Sequence, residues 1–187
     1  HAAADEQYKG IGIERDRASG ELSRVVGLVS PDGLHWRKAQ TEPIIRGPRQ
    51  DPHFDSLNVC FWDAARGCYV AYLRTNRAGV RRLRRGLSTD FVHWTALEEL
   101  DLGDAPEEHL YKNAATPYYR RPDIVVMFPK RFLEARRPDP QWPEPGLSDI
   151  VFMSSRDGLR FDRRFLEAFV RPGPDPGNWH ERAIEVG

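Results

Sequence analysis

The stretch Ser30-Pro31-Asp32-Gly33-Leu34-His35-Trp36 decides the fold of this chain, because a related phrase occurs twice more. The other copies are Ser88-Thr89-Asp90-Phe91-Val92-His93-Trp94 and Ser155-Arg156-Asp157-Gly158-Leu159-Arg160-Phe161. Self-similarity at intervals of this size marks a repeated supersecondary unit. We call these segments corners 1, 2 and 3, in chain order.

Each corner has the residue chemistry of a tight turn between two strands. The Asp side chain can bond its own backbone, Gly tolerates a positive φ, and the Ser hydroxyl can support the same turn. The aromatic residue at the end of the corner is expected to pack across the unit. Corner 2 carries Phe91 at the Gly position, so we expect that turn to bend without glycine and to be of another type. Chance recurrence of ordinary turn chemistry would explain one copy, and three copies disfavour it.

The bulk composition fits a single domain and excludes some partners. The chain has 187 residues, 28 basic and 28 acidic, so its formal charge is zero. A balanced charge gives no support for a nucleic-acid or anionic-membrane partner. No apolar run approaches the roughly 20 residues of a membrane helix, and no signal peptide is visible. No oligomeric state is indicated.

The two ends of the sequence suggest a fragment of a longer, bacterial protein. It begins with His1-Ala2-Ala3-Ala4, and a strand-like pattern starts at 182–186 just before the last residue. A leader lost from such a fragment would make the protein secreted or periplasmic. Arginine makes up nearly all of the basic residues, as a GC-rich genome would produce.

The cysteines and histidines do not form a metal-site pattern. Cys60 and Cys68 flank a hairpin loop at 63–67. A disulfide is one interpretation, and two free, half-buried thiols are favoured, because one pair of cysteines does not establish an oxidising compartment. There is no C-x-x-C and no His pair at i, i+4, so neither a metal nor a cofactor is predicted.

Period-two alternation and β-branched or aromatic residues predict an all-β chain. Strands are expected at 8–14, 21–29, 57–62, 68–74, 80–87, 116–119, 124–129 and 148–153, with closing strands near Trp94 and Phe161. A complete unit is then three strands, a corner and a fourth strand, which is the content of a β-propeller blade. A β-sandwich also has short strands but does not explain the recurring corner. Residues 1–187 are therefore predicted to form one partial β-propeller domain of about three blades, fewer than the four to eight of a closed ring.

Candidate site residues lie where each blade begins, because the first residues of the innermost strand point into the funnel of a propeller. The three leading segments, 51–58, 107–113 and 178–182, each carry carboxylates beside aromatic or amide groups. Glycoside hydrolysis uses two carboxyl groups in this setting. The candidate catalytic residues are Asp55, Glu108 and Glu181, and the candidate substrate-binding residues are Asp51, Asn58, Arg74, Arg85, Tyr111, Asn113, Trp179, His180 and Arg182.

A structural alternative stands beside each candidate. Asp55 could cap a turn, Asp51 could start one before Pro52, Glu107 and Glu108 could begin a solvated helical turn, and Trp179 could be a core ring. The four arginines at 81, 82, 84 and 85 are predicted to lie mostly on a solvated sheet face. The functional alternative has Arg74 and one of Arg84 or Arg85 reaching the funnel.

One blade opening resembles the five-bladed propeller glycoside hydrolases of families 43 and 32. The resemblance rests on Asp55-Ser-Leu-Asn58 followed by Phe61-Trp62-Asp63, then on Gly67-Cys-Tyr69-Val-Ala-Tyr72, and on the corners. It implies a five-bladed propeller with two acidic catalytic residues and a third, orienting Asp. Asp55 would be one of these residues, and Glu108 or Glu181 another.

The sequence also departs from these families. The Asn-Asp-Pro-Asn-Gly and Arg-Asp-Pro stretches of family 32 are missing, and Gln50-Asp51-Pro52 is a partial echo. The corners are also similar to the sialidase Asp-box, which has one more residue between Asp and Gly. The expected function is hydrolysis of glycosidic bonds in a carbohydrate substrate. The alternatives are a non-catalytic propeller that binds glycans or proteins, and a structural propeller whose acidic residues only cap turns.

Overall fold

The computed structural model describes residues 3–14, 24–47, 54–55, 57–137, 139–175, 177 and 179. These residues form fourteen strands after a single 3-10 turn at Ala4–Glu6. All pairs between the strands are antiparallel. The predicted all-β class is confirmed. Among the described residues, no helix is long and apolar enough to cross a bilayer.

The first meander of the chain is a four-stranded sheet that contains corner 1 as one of its connections. Its strands are β1 (Tyr8–Glu14), β2 (Arg24–Ser30), β3 (Arg37–Lys38) and β4 (Ile45–Arg46). β1 pairs with β2 along its whole length, and the short strands β3 and β4 both pair with β2. β2 is thus the central strand of this sheet, and corner 1 leads directly from it into β3.

The second meander is the most regular sheet of the chain. Its strands are β5 (Val59–Asp63), β6 (Cys68–Arg77), β7 (Val80–Ser88) and β8 (Glu98–Glu99), and they lie side by side in that order. Corner 2 connects β7 to β8. This is the predicted sequence of three strands, a corner and a fourth strand.

The third meander is bent into two three-stranded sheets. Its strands are β9 (His109–Tyr111), β10 (Thr116–Tyr118), β11 (Arg121–Met127), β12 (Lys130–Leu133), β13 (Leu147–Ile150) and β14 (Met153–Ser155). β12 lies between β9 and β13, while β11 lies between β10 and β14. At the bend, the amide of Phe128 donates to the carbonyl of Asn113 at 3.1 Å, and that of Val151 to Pro129 at 3.0 Å. The predicted strand at 148–153 is therefore interrupted at this bend.

All three corners close with the same hydrogen bonds, as the turn chemistry predicts. In each, the Ser hydroxyl lies 3.0 or 3.1 Å from the Asp carboxylate. The same hydroxyl accepts the amide of the residue at the Gly position at 2.8 or 2.9 Å. One Asp oxygen then accepts the next two amides at 2.7 or 2.8 Å.

The prediction that corner 2 is a different turn is wrong. Phe91 has a φ of 72°, close to the 78° of Gly33 and the 73° of Gly158. A side chain in this left-handed region costs about 1–2 kcal/mol. The Phe91 ring is buried and packs edge-on against Tyr69 and Trp94, with ring centroids at 5.2 and 6.1 Å. Burial of the ring between the first two meanders offsets the backbone strain.

Two apolar layers hold the three meanders face to face. β6 supplies both, because its alternate side chains point to opposite faces of the sheet. Ala71 and Leu73 join the layer against the first meander, whereas Val70 and Tyr72 join the layer against the third. Burial of a side chain such as Val70 or Leu73 stabilises the fold by about 1.5–3 kcal/mol.

Both cysteines are free thiols, as favoured from the sequence. Cys60 lies opposite Ala71 and Cys68 lies opposite Asp63, so the two thiols do not face each other across the β5–β6 pair. Burial raises the pKa of the Cys60 thiol to about 12, which makes it an inert packing residue.

Candidate functional site

Asp55 and corner 2 lie at opposite ends of the second meander. In the second meander, β7 ends at Ser88 opposite Tyr69, beside the β5–β6 turn, and corner 2 follows. The other end holds the β6–β7 turn after Arg77 and the chain at 54–58 that leads into β5. In this meander, corner 2 therefore lies at one end of the sheet and Asp55 lies at the other.

Arg74 joins two sequence-predicted residues of the second meander. Its Nη1 lies 2.6 Å from Oδ2 of Asp55, and its backbone amide donates to Oδ1 of Asn58 at 2.8 Å. The Asn58 amide in turn donates to the carbonyls of Phe54 and Asp55 at 3.0 and 2.9 Å. Asn58 thus fixes the leading segment against β6, and this places the Asp55 carboxylate beside the guanidinium.

Two residues of the third meander complete the same cluster. The Arg74 guanidinium carbon lies 5.2 Å from the ring centroid of Tyr111. The buried amide of Asn113 donates to the carbonyls of Leu57 and Tyr72 at 3.0 and 3.3 Å, so the leading segments of two consecutive meanders are adjacent. We call Asp55, Asn58, Arg74, Tyr111 and Asn113 the Asp55 cluster.

Two cations that were not among the sequence-predicted site residues lie beside the Asp55 cluster. The Arg81 guanidinium carbon lies 4.8 Å from the centroid of the Tyr111 ring, and Nζ of the buried Lys130 lies 5.6 Å from it. Each such contact contributes about 0.5–2 kcal/mol. Lys130 lies directly opposite Tyr111 in the β9–β12 register. The available signal was a lysine directly after the predicted strand at 124–129, in a chain that has few lysines.

Glu108 belongs to a different, largely buried group of charges. Its Oε1 accepts from Arg131 at 3.0 Å, and its Oε2 accepts from Arg163 at 2.7 Å. Arg131 also forms a two-point ion pair with Asp149 at 2.8 and 2.6 Å, which raises the Arg131 pKa. We call these four residues the Glu108 network. Both Glu108 oxygens accept from arginines, and only 16% of the side chain is exposed.

The Asp55 cluster and the Glu108 network contact opposite faces of the third meander. Lys130 and Tyr111 form one opposite pair in the register, and Arg131 forms the next pair with Leu110 and Asp149. Successive pairs in a sheet point to opposite faces. The two candidate carboxylates Asp55 and Glu108 therefore have separate sets of partners.

The remaining candidates are dispersed. Arg85 is buried against corner 3, where it donates to Glu98 at 2.7 Å and to the Asp157 carbonyl at 2.9 Å. Arg82 is ion-paired with Glu99 and Glu107. Arg85 thus does not lie on the solvated face predicted for most of the arginines at 81, 82, 84 and 85, whereas Arg82 is paired at the surface. Four candidates lie outside the described residues, namely Asp51, His180, Glu181 and Arg182.

Trp179 lines a cavity of about 440 Å³ on the face of the third meander that carries Arg131 and Asp149. A second cavity, of about 310 Å³, includes Arg81 and Glu108 in its wall. A wider concavity of about 810 Å³ surrounds corner 3, at the end away from the Asp55 cluster. In the described part of the chain, no group of three or more His, Cys, Asp or Glu side chains could hold a metal ion.

Comparison with known proteins finds solved structures of similar fold. No protein-family profile matches the sequence, and no curated protein matches it significantly. An N-acetylgalactosamine deacetylase from F. plautii, in complex with blood group B trisaccharide, has a TM-score of 0.60 at 14% identity, over 81% of this chain and 46% of that one. A BT0996 complex with RGII gives 0.50 at 14% identity, over 84% and 47%. This chain thus spans about half the length of each.

Proposed function

We propose that the three meanders are consecutive blades of a β-propeller and that the chain binds carbohydrate at the Asp55 cluster. The stacked antiparallel meanders and the repeated corner support the propeller. The five-bladed type remains the expectation from the resemblance to glycoside hydrolase families 43 and 32. Two proteins of similar fold supply the ligand class, one in complex with a trisaccharide and one in an RGII complex.

The convergence of the leading segments carries this proposal. Arg74 touches Asp55 in one meander and Tyr111 in the next, so the cluster places a carboxylate, a guanidinium and an aromatic ring side by side. The half-exposed Asp55 carboxylate can accept from sugar hydroxyls, and the buried Tyr111 ring holds the Arg74 guanidinium beside it. Asn58 and Asn113 hold the backbone in place beforehand, which reduces the entropy lost on binding.

Glycoside hydrolysis is the second candidate, and the exposure of Asp55 favours it. Its side chain is 52% exposed while Arg74 holds one oxygen at 2.6 Å, so a substrate can approach an oriented carboxylate. The reaction needs a second carboxyl group about 5 Å away for retention, or about 6.5–9.5 Å away for inversion. Glu108 and Glu181 are the proposed partners. Glu181 is the better one, because both Glu108 oxygens already accept from arginines.

A polysaccharide panel tests the binding proposal. The chain is screened against immobilised plant and bacterial polysaccharides, and titration calorimetry follows with an oligosaccharide of the polysaccharide that binds. Asp55→Asn is expected to weaken binding about tenfold by removing a charged acceptor. Asp104→Asn is the matched control, because Asp104 lies on the wall of the concavity at corner 3. Unchanged affinity in Asp55→Asn would remove the Asp55 cluster from the proposal.

The same variants separate hydrolysis from binding. If the protein is a hydrolase, the wild type releases reducing ends from the bound glycan, and Asp55→Asn abolishes this while urea unfolding shows an intact fold. Equal turnover in wild type and Asp55→Asn would exclude Asp55 as a catalytic carboxylate. Binding without release of reducing ends would favour the non-catalytic function.

A further inference from the structure

We infer a second binding site, for a negatively charged sugar, in the cavity of about 440 Å³ beside the third meander. This site lies on the face that carries Arg131 and Asp149, away from the face that carries Tyr111. Its volume falls within the range of about 300–1,000 Å³ that small-molecule sites occupy. The residues that carry the inference are Arg131, Asp149, Arg136, Arg171 and Trp179.

The described lining of the cavity has an excess of positive charge. Three arginines line it, and Asp149 is the one carboxylate among the described lining residues. The Arg131 guanidinium is already ion-paired with Asp149 and Glu108, so it is not counted as a donor for the ligand. Arg136 and Arg171 are exposed at the rim, and neither guanidinium has an ion pair with the described residues. The two rim arginines therefore present donors and charge to a ligand.

Trp179 gives the cavity a wall suited to a sugar ring. Its indole N–H donates to the carbonyl of Gly173 at 2.9 Å, and this bond fixes the orientation of the ring. The half-buried ring then faces a cavity that also has apolar walls, formed by Leu133 and Leu147. An aromatic wall beside a few placed polar groups is the usual composition of a small-molecule site.

The chemistry selects a pyranose that carries an anionic group. A guanidinium binds a carboxylate or a sulfate through paired, charge-assisted hydrogen bonds. Two guanidinium groups near one indole thus fit a uronic acid residue or a sulfated sugar. The sugar part of this inference rests on the proposed function, whereas the anionic part rests on the cavity alone.

Three trisaccharides test the inference by titration calorimetry and Trp fluorescence. They are a trimer of galacturonic acid, its carboxyl-reduced neutral form, and a sulfated galactose trimer. The galacturonate trimer should bind about tenfold more tightly than the neutral form. Its affinity should fall as salt rises from about 50 to about 300 mM. Tighter binding of the sulfated trimer than of the galacturonate would identify sulfate as the source of the charge.

Single substitutions locate the binding. Arg136→Gln and Arg171→Gln should each weaken the anionic trimer about fivefold or more, because each removes one charged donor. Arg164→Gln is the matched control, since Arg164 is 77% exposed and does not line the cavity. Urea unfolding confirms that all three variants keep the fold. Equal affinity for anionic and neutral trimers, or wild-type affinity in the Arg136→Gln, Arg171→Gln double variant, would overturn the inference.

A parallel titration of Asp55→Asn distinguishes this site from the Asp55 cluster. If Asp55→Asn loses binding of the neutral glycan but keeps its affinity for the anionic trimer, the two sites are independent. If no neutral glycan binds while the anionic trimer binds and depends on Arg171, the proposed function fails and this inference stands. If neutral binding depends on Asp55 and there is no preference for charge, this inference fails and the proposed function stands.

Discussion

The hydroxyl of Tyr72, on β6 of the second meander, donates a 2.8 Å hydrogen bond to the carbonyl of Gly158 in corner 3. In corners 1 and 2 the equivalent carbonyl, of Gly33 or Phe91, accepts at 3.0 Å from the indole of the Trp that ends the same corner. Corner 3 ends in Phe161, which has no donor. The neighbouring meander supplies it instead, so the third corner is completed by an interface between meanders.

Tyr72→Phe should therefore destabilise the protein by about 1–2 kcal/mol, because the buried Gly158 carbonyl loses its side-chain donor. Urea unfolding measures the change. Tyr69→Phe, on the same strand, is the control, because the Tyr69 hydroxyl makes no hydrogen bond within the described residues. Equal stability of the two variants would contradict the role assigned to the Tyr72 hydroxyl.

Gly158→Ala and Gly33→Ala should differ although their φ angles, 73° and 78°, are nearly equal. Both variants bear the left-handed strain of about 1–2 kcal/mol. A Cβ at Gly158 would also lie 2.9 Å from the Tyr72 hydroxyl, whereas at Gly33 the nearest atom is a Tyr8 ring carbon at 3.7 Å. Gly158→Ala should lose at least about 1 kcal/mol more in urea unfolding, because it also disrupts a buried hydrogen bond. A larger loss of stability in Gly33→Ala than in Gly158→Ala would show that corner 3 can accommodate the added methyl group.

Acid should destabilise the fold partly through the corners. The hydrogen bond with the His93 side chain, followed by the amides of His93 and Val92, holds the pKa of Asp90 well below its usual value. The His35 amide and side chain do the same for Asp32. Because the folded pKa is depressed, the unfolded chain binds protons first as pH falls below about 4, and the stabilisation is lost as pH falls toward the folded value.

Asp90→Asn keeps an oxygen that can accept the backbone amides of corner 2, and it removes the titrating carboxyl group. It should lower the Tm at pH 7 and reduce the difference in Tm between pH 7 and about pH 2.5. The effect should be modest, because the Asp90 carboxyl is half exposed to solvent. Asp104→Asn serves as the control, since the Asp104 carboxyl makes no hydrogen bond within the described residues. An acid profile of Asp90→Asn that overlays the wild type would refute the assignment.

Glu108→Gln should lower the free energy of unfolding by about 3 kcal/mol, because it leaves the fully buried Arg163 guanidinium without its charged partner. Glu107→Gln should change it by no more than about 0.5 kcal/mol, because Glu107 is 58% exposed and pairs with Arg82 at the surface. Urea unfolding of both variants is the measurement. A Glu108→Gln variant of normal stability would contradict the structural role assigned to the pair of Glu108 with Arg163.

The sequence predicted the features that depend on local chemistry. Turn residues located the three corners, and period-two alternation located β1, β6 and β7 closely. Five candidates, among them Asp55 and Tyr111, converge because each comes from a leading segment or from the strand beside one.

The features that the sequence analysis missed depend on contacts between distant segments. Phe91 takes a glycine conformation because Tyr69 and Trp94 bury its ring, which local turn preference does not reveal. Arg131 and Asp149 pair across β12 and β13 although they lie 18 positions apart in the chain, so their spacing gave no signal. Long-range pairing of this kind decides which charges are buried.

Amide chemical-shift mapping tests the central claim most directly. The labelled chain is titrated with the oligosaccharide that binds in the polysaccharide panel, and shifts are followed by NMR. The proposed function predicts the largest shifts at Asn58, Arg74, Tyr111 and Asn113. Corner 2, at 88–94, should not move, because it lies at the opposite end of the second meander from Arg74. Shifts concentrated at the corners, with none at Arg74 or Tyr111, would contradict carbohydrate binding at the Asp55 cluster.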